Sequence, residues 1–235
     1  MVVTDITRME GTRVCVAGFL EDGQVVRPVY RGGPTEAWLH PAINSQIVPF
    51  STVELMAPRR PGSLVPPHTE DRVVPKRGHR VVGVLQDAER ITWLASSASP
   101  SVSAIFGAEI HSDPDNQWGR FVRAGEGSRS LGTIRPGSVV DVRFAHYPER
   151  GRWDYRLRFA DATGDLFQLA VVDLAFRGRL NALHFAGQTP DQAAHQVLTE
   201  LQRQNVYLRL GLARGWDRHP DRCYLQITGV YGFYP

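Results

Sequence analysis

Residues 138–159, SVVDVRFAHYPERGRWDYRLRF, decide the fold class of this chain. Val140, Val142 and Phe144 alternate with Val139, Asp141 and Arg143. Beyond a turn at Pro148–Gly151, Trp153, Tyr155, Leu157 and Phe159 alternate with Arg152, Asp154, Arg156 and Arg158. A period of two marks a strand with one buried face, so this is a pair of half-buried strands. Leu166–Val172 supplies a third strand, and a segment from Asp173 to Leu183 leads onward from it. Thr189-Pro190-Asp191-Gln192 then provides an N-cap, a proline at the first helical position and a capping-box glutamine, ahead of Ala194, Val197, Leu198 and Leu201 at helical spacing. Val206–Leu212 and Cys223–Tyr231 are two further strands around the polar turn Arg214–Arg222. Strand, strand, strand, helix, strand, strand is the connectivity of the five-stranded OB barrel.

The first half reads as a less regular copy. GTRVCVAGFLEDGQVVRPVY, Gly11–Tyr30, is a hairpin about Asp22-Gly23. A two-residue turn there puts Gly18 opposite Arg27 on the face of Val16 and Val29. A guanidinium on such a face either finds buried partners or snorkels to the rim, and the glycine leaves room for a backbone or a ligand. A polar connection, Arg31–Asn44, leads to a strand within Gln46–Met56, a long Pro-rich loop at 57–78, a short buried strand at Arg80–Leu85, and a helix capped by Asp87 that carries Ile91, Leu94 and Ala95. The expected fold is mainly β with a few helices, as two OB-fold-like five-stranded barrels. Residues 1–125 form the first, with a helical insertion, and residues 126–235 the second.

Hydrophobic residues at 42% and charged residues at 22% describe an ordinary globular chain. No apolar run approaches the roughly 20 residues of a membrane span, and MVVTDITRMEG lacks the layout of a signal peptide, so a cytoplasmic location is expected. Cys15 and Cys223 are too few for a disulfide framework. The net charge of +3 is compatible with a polyanionic partner without demanding one. Of 27 basic residues only Lys76 is lysine, which leaves 26 arginines, the side chain suited to bidentate phosphate contacts. A GC-rich genome produces the same skew, so the placement of the arginines has to carry the inference.

That placement favours one face. Trp153 and Tyr155 share the core stripe with Leu157, whereas Arg152, Arg156 and Arg158 point the other way. Strands 2 and 3 of an OB barrel, with the loops after strands 1 and 4, form its oligonucleotide surface, and Arg143, Arg209 and an exposed Tyr207 extend the stripe. The plain alternative is a solvated face, with Asp141 and Asp154 interspersed. His111, Asp113 and Asp115, with His146 elsewhere, are the densest group of metal-ligating types. Pro114 and Asn116 make that stretch an Asx-rich turn in preference to a metal site, and Asp217 with His219 is similarly ambiguous. No phosphate-binding glycine loop, nucleophile elbow or His-Glu-x-x-His helix occurs. The reading therefore assigns no catalytic residue, no metal and no cofactor.

Together the pieces resemble the dual OB-containing domain family, largely uncharacterised prokaryotic proteins often found near defence genes. The resemblance rests on Thr7-Arg8-Met9, RVCVAG at Arg13–Gly18, VRPV at Val26–Val29, PFS at Pro49–Ser51, VVDLAFR at Val171–Arg177, GLAR at Gly211–Arg214 and CYLQITGVYGF at Cys223–Phe233. It singles out Arg8, Arg27, Asp173, Arg177 and Arg214 as polar residues within apolar motifs. Asp173 and Arg177, four apart, also read as a helix-supporting pair. Gly232–Pro235 departs from the family pattern in lacking the acidic tail that often follows. The expectation is a non-catalytic protein that binds single-stranded or distorted nucleic acid, or a nucleotide, through arginine-lined surfaces. A protein–protein interaction module of a defence complex is the alternative, and a metal-dependent nuclease the third reading.

Overall fold

Asp22-Gly23 closes the first hairpin within a three-residue loop in the computed structural model, which describes residues 1–43 and 45–235, the side chain of Arg150 apart. Gly23 takes φ 80°, the left-handed conformation such a loop needs at its last position, and Leu20 N–H donates to the Gln24 carbonyl across it. As a result β2 (Val14–Phe19) pairs with β3 (Val25–Val29) with Gly18 opposite Val26, one residue away from the register that a two-residue turn predicts. The space at Gly18 is filled by backbone. A Cβ there would lie 2.0 Å from the carbonyl oxygen of Val2 in β1 (Val2–Arg8).

The remaining strands of the first sheet are β4 (Ser51–Leu55), β5 (Asp71–Val73) and β6 (His79–Val84). Asn44, the end of the predicted polar connection, lies outside the described residues. The sheet order is β5-β3-β2-β1-β4-β6, with β3 and β5 parallel. Its two ends, β5 and β6, are consecutive in the chain, and the sheet is curled. Val3, Ile6, Val14, Val16 and Val53 fill it, closed by Trp38, Leu39 and Ile47. The strand predicted as buried near 80–85 is largely exposed, because β6 pairs with β4 alone and stands at an edge.

The helix α1 (Asp87–Ser96) is capped by Gln86, one residue before the predicted cap, with Glu89 accepting from the Gln86 N–H. Leu94 on α1 packs in a cluster with Val2 and Phe50 of the first half and Tyr207, Tyr231 and Phe233 of the second. The chain then runs through β7 (Ala98–Ser99), β8 (His111–Asp113) and β9 (Asn116–Arg123). Although the sequence reading groups 98–123 with the first half, Val102, Ile105, Phe106 and Val122 belong to the core of the second.

The second sheet contains β10 (Leu131–Ile134), β11 (Ser138–Tyr147), β12 (Arg152–Ala160), β13 (Leu166–Val171), β14 (Asn205–Leu212) and β15 (Arg222–Phe233). Its order is β11-β12-β13-β15-β14-β10-β7, and β13 runs parallel to β15. Here too two strands toward opposite ends of the sheet, β10 and β11, are consecutive in the chain. The predicted helix is present as α3 (Pro190–Gln202), with Thr189 and Gln192 forming the capping box. The segment after β13 is a second helix, α2 (Leu174–Phe185). A bulge between Val139 and Asp141 turns Val139 inward with Val142 and Phe144, which leaves Val140 exposed where alternation predicted it buried. The architecture is mainly β, in two curled sheets with three α-helices among the described residues, and none of these helices is long and apolar enough to cross a membrane.

Candidate nucleic-acid interface

The outer face of β11 and β12 is set by their register. Arg143 lies directly opposite Arg156, Asp141 opposite Arg158, and Tyr147 opposite Arg152. Arg143 donates to the Tyr147 hydroxyl at 2.6 Å, and Arg156 donates to Asp154 at 2.8 Å. The Arg158 guanidinium stacks 5.1 Å above the Trp118 ring of β9, with its Nε buried and without a hydrogen-bond partner among the described residues. Arg152 is exposed. Trp118 is a member of this face that the sequence reading missed. Its signal is an aromatic residue in the polar run Asn116-Gln117-Trp118-Gly119-Arg120, which has no apolar stripe to join.

Two predicted residues lie inside the protein instead of on this surface. Tyr207 packs among Phe50, Leu94 and Phe233, and Arg209 is fully buried. The first half covers the face of β14 on which they stand. Arg209 donates through Nε and Nη2 to Asp5 and through Nη1 to Thr133, and its guanidinium lies 4.8 Å from the Phe19 ring centre. Asp5 also accepts from Thr228. Neither residue can extend the stripe.

Arg27 is likewise buried, and it does not snorkel. Its Nε donates to Asp71 at 2.6 Å, and the other oxygen of Asp71 accepts from Arg214 of the second half. Arg27 Nη2 is buried without a partner among the described residues. Beside this pair His68 Nε2 lies 4.0 Å from Cys223 Sγ, and burial, reinforced by Arg27 and Arg214, pushes the imidazole down to about 3. Glu70 accepts from the Ser130 N–H, the Ser130 hydroxyl and the Leu131 N–H, which ties the loop before β5 to the start of β10.

Arg8 pairs with Glu36 at the surface of the first half. Arg177 on α2 donates to the Val171 carbonyl and stacks on Tyr155. Asp173 caps α2 through the Ala175 N–H and also accepts from Val230 N–H, and burial raises its carboxyl to about 6. The structure thus brings Arg143, Arg152, Arg156 and Arg158 together, while Arg8, Arg27, Arg177 and Arg214 lie elsewhere.

No protein-family model, curated protein or solved structure matches the chain.

The stretch His111–Asp115 forms an Asx turn, with Asp113 accepting from the Asp115 N–H. Asp113 also accepts from the Tyr224 hydroxyl at 2.8 Å and from Arg222 at 3.2 Å. Burial alone would raise this carboxyl, but these bonds outweigh it and hold the group below its ordinary range. Among the described residues no three His, Cys, Asp or Glu side chains are grouped to hold a metal.

Proposed function

We propose that the chain is a non-catalytic protein that binds single-stranded nucleic acid on the outer face of β11 and β12, and that both curled sheets are OB-type barrels. Strand pairing supports the second statement. In the second half β10 and β11 together act as one bent first strand, pairing with β14 on one side and β12 on the other, and the third strand lies parallel to the last. In the first half β1, β2, β3 and β4 take the corresponding places, with β5 and β6 sharing the role of the last strand.

The observation that carries the binding reading is Arg143 opposite Arg156, with Arg158 next to it on the same face and Arg152 beyond Asp154. Asp154 neutralises part of the Arg156 charge, and a polyanion bridging Arg143 and Arg156 relieves the repulsion that remains across the strand pair. Trp118 and Tyr147 add ring faces beside the guanidinium groups. Fluorescence anisotropy with a single-stranded oligonucleotide tests the proposal. Binding at low salt that weakens steeply as salt rises is expected, and no binding at low ionic strength would overturn it.

One observation favours a protein-docking role as a second reading. Val82 and Val84 are exposed on the edge strand β6, which offers unpaired backbone for strand addition. Co-purification of a partner protein that is lost in Val82→Lys, with no oligonucleotide binding, would favour it.

A further inference from the structure

A cavity of about 410 Å³ opens in the first half between Tyr30, Thr35, the 37–41 segment and residues 76–79. Its volume falls in the roughly 300–1,000 Å³ range of small-ligand sites. Trp38 and His79 form an aromatic wall, their ring centres 3.8 Å apart and their planes within 17°. His79 Nε2 lies 2.8 Å from the Trp38 carbonyl oxygen and must donate to it, so the neutral imidazole keeps a lone pair on Nδ1. Burial lowers the His79 pKa and favours that neutral form. Both His79 Nδ1 and Trp38 Nε1 are buried with no hydrogen-bond partner among the described residues, and Trp38 is only 4% exposed. An acceptor and a donor in one ring pair thus go unsatisfied, which is costly and unusual in a well-packed protein. Lys76, the chain's only lysine, and Arg77 are exposed at the cavity, and no Asp or Glu among the described residues lines it.

We propose that this cavity binds a phosphomonoester carried beside a planar base, the chemistry of a nucleoside monophosphate. The base meets the Trp38–His79 pair edge-on, its polar edge engaging Trp38 Nε1–H and His79 Nδ1 in the planes of the two rings as the wall opens to admit it. The phosphate sits between Lys76 and Arg77. This site is separate from the arginine face and does not rest on it. A free nucleotide and the 5′-phosphate end of a strand share this chemistry.

Calorimetric titration of the full chain with AMP, adenosine, inorganic phosphate and a 5′-phosphorylated trinucleotide tests the assignment. AMP should bind, with adenosine and phosphate each weaker by about tenfold or more. Lys76→Ala/Arg77→Ala, at exposed positions, should weaken AMP by about tenfold or more, whereas Arg143→Ala/Arg156→Ala should change it by less than about twofold. Trp38→Phe, which keeps a ring and removes the N–H, should also weaken AMP. Displacement of AMP by the trinucleotide identifies a strand end as the occupant, and failure to displace identifies the free nucleotide. Absence of AMP binding at millimolar concentration, or AMP binding unchanged in the Lys76/Arg77 variant, would overturn the proposal whatever the outcome for oligonucleotides on the arginine face.

Discussion

Asp5 on β1 and Arg209 on β14, 204 residues apart in the chain, form an ion pair with almost no solvent exposure of either side chain. Removing one partner strands the other charge in the interior, which costs roughly 3–5 kcal/mol. Asp5→Ala is therefore expected to lose stability on that scale in urea unfolding. Because the pair joins the two halves, wild-type unfolding should be one transition by both tryptophan fluorescence and circular dichroism.

Asp71 takes one guanidinium on each oxygen, but its two partners are unequal. Arg27 is buried, whereas the Arg214 side chain is 56% exposed. Arg214→Ala should cost about 1 kcal/mol or less, since water screens that bond. Asp71→Asn should cost several times more, about 3 kcal/mol, because it leaves Arg27 buried without its counter-charge. Chemical denaturation of the two variants side by side checks the ranking.

His68 and Asp173 tilt stability in opposite directions with pH. His68 is held at about 3 against an ordinary 6.5, so between these values the unfolded chain binds a proton that the folded one does not. Its contribution is complete above pH 6.5 and is lost as pH falls toward 3, about 2 kcal/mol of it by pH 5. Asp173, raised from 3.8 to about 6, binds its proton preferentially in the folded state, so its contribution is present below 3.8 and lost as pH rises through 6. Urea midpoints against pH should show His68→Leu losing less stability than wild type from pH 6.5 downward. Asp173→Asn should show the opposite difference between pH 6 and 4.

Gly18 is required by proximity, since any Cβ would meet the Val2 carbonyl. Gly18→Ala should force β1 and β2 apart and lower stability by about 1–3 kcal/mol. A thermal melt that is unchanged would contradict this close approach.

On the arginine face, four phosphate contacts to a single strand imply a slope near −3 for log affinity against log salt, at about 0.7 per contact. Arg143→Ala/Arg156→Ala should flatten that slope by about 1.4 while leaving the melting temperature within a few degrees.

The second half was the more legible in sequence because its strands expose one face to water, so alternation in 138–159 reports burial directly. The capping box at Thr189 is equally local, and α3 begins where it says. What failed was non-local. Tyr207 and Arg209 alternate with core residues as a solvent face would, yet β14 is buried on both sides because another part of the chain lies over it. The hairpin register missed by one since Asp-Gly serves two-residue and three-residue loops alike. The arginine cluster itself was readable from β12, whereas Trp118 and the Trp38–His79 wall depend on packing between distant segments.

The way Arg209 is held also separates two kinds of arginine that composition cannot. Three nitrogens of one planar fork reach Asp5 and Thr133 at once, a task beyond an ammonium group. Lysine should be forbidden at 209 and tolerated at 143 or 156, where a positive charge near a flexible chain suffices. Swapping the two residue types position by position would therefore sort scaffold from bait.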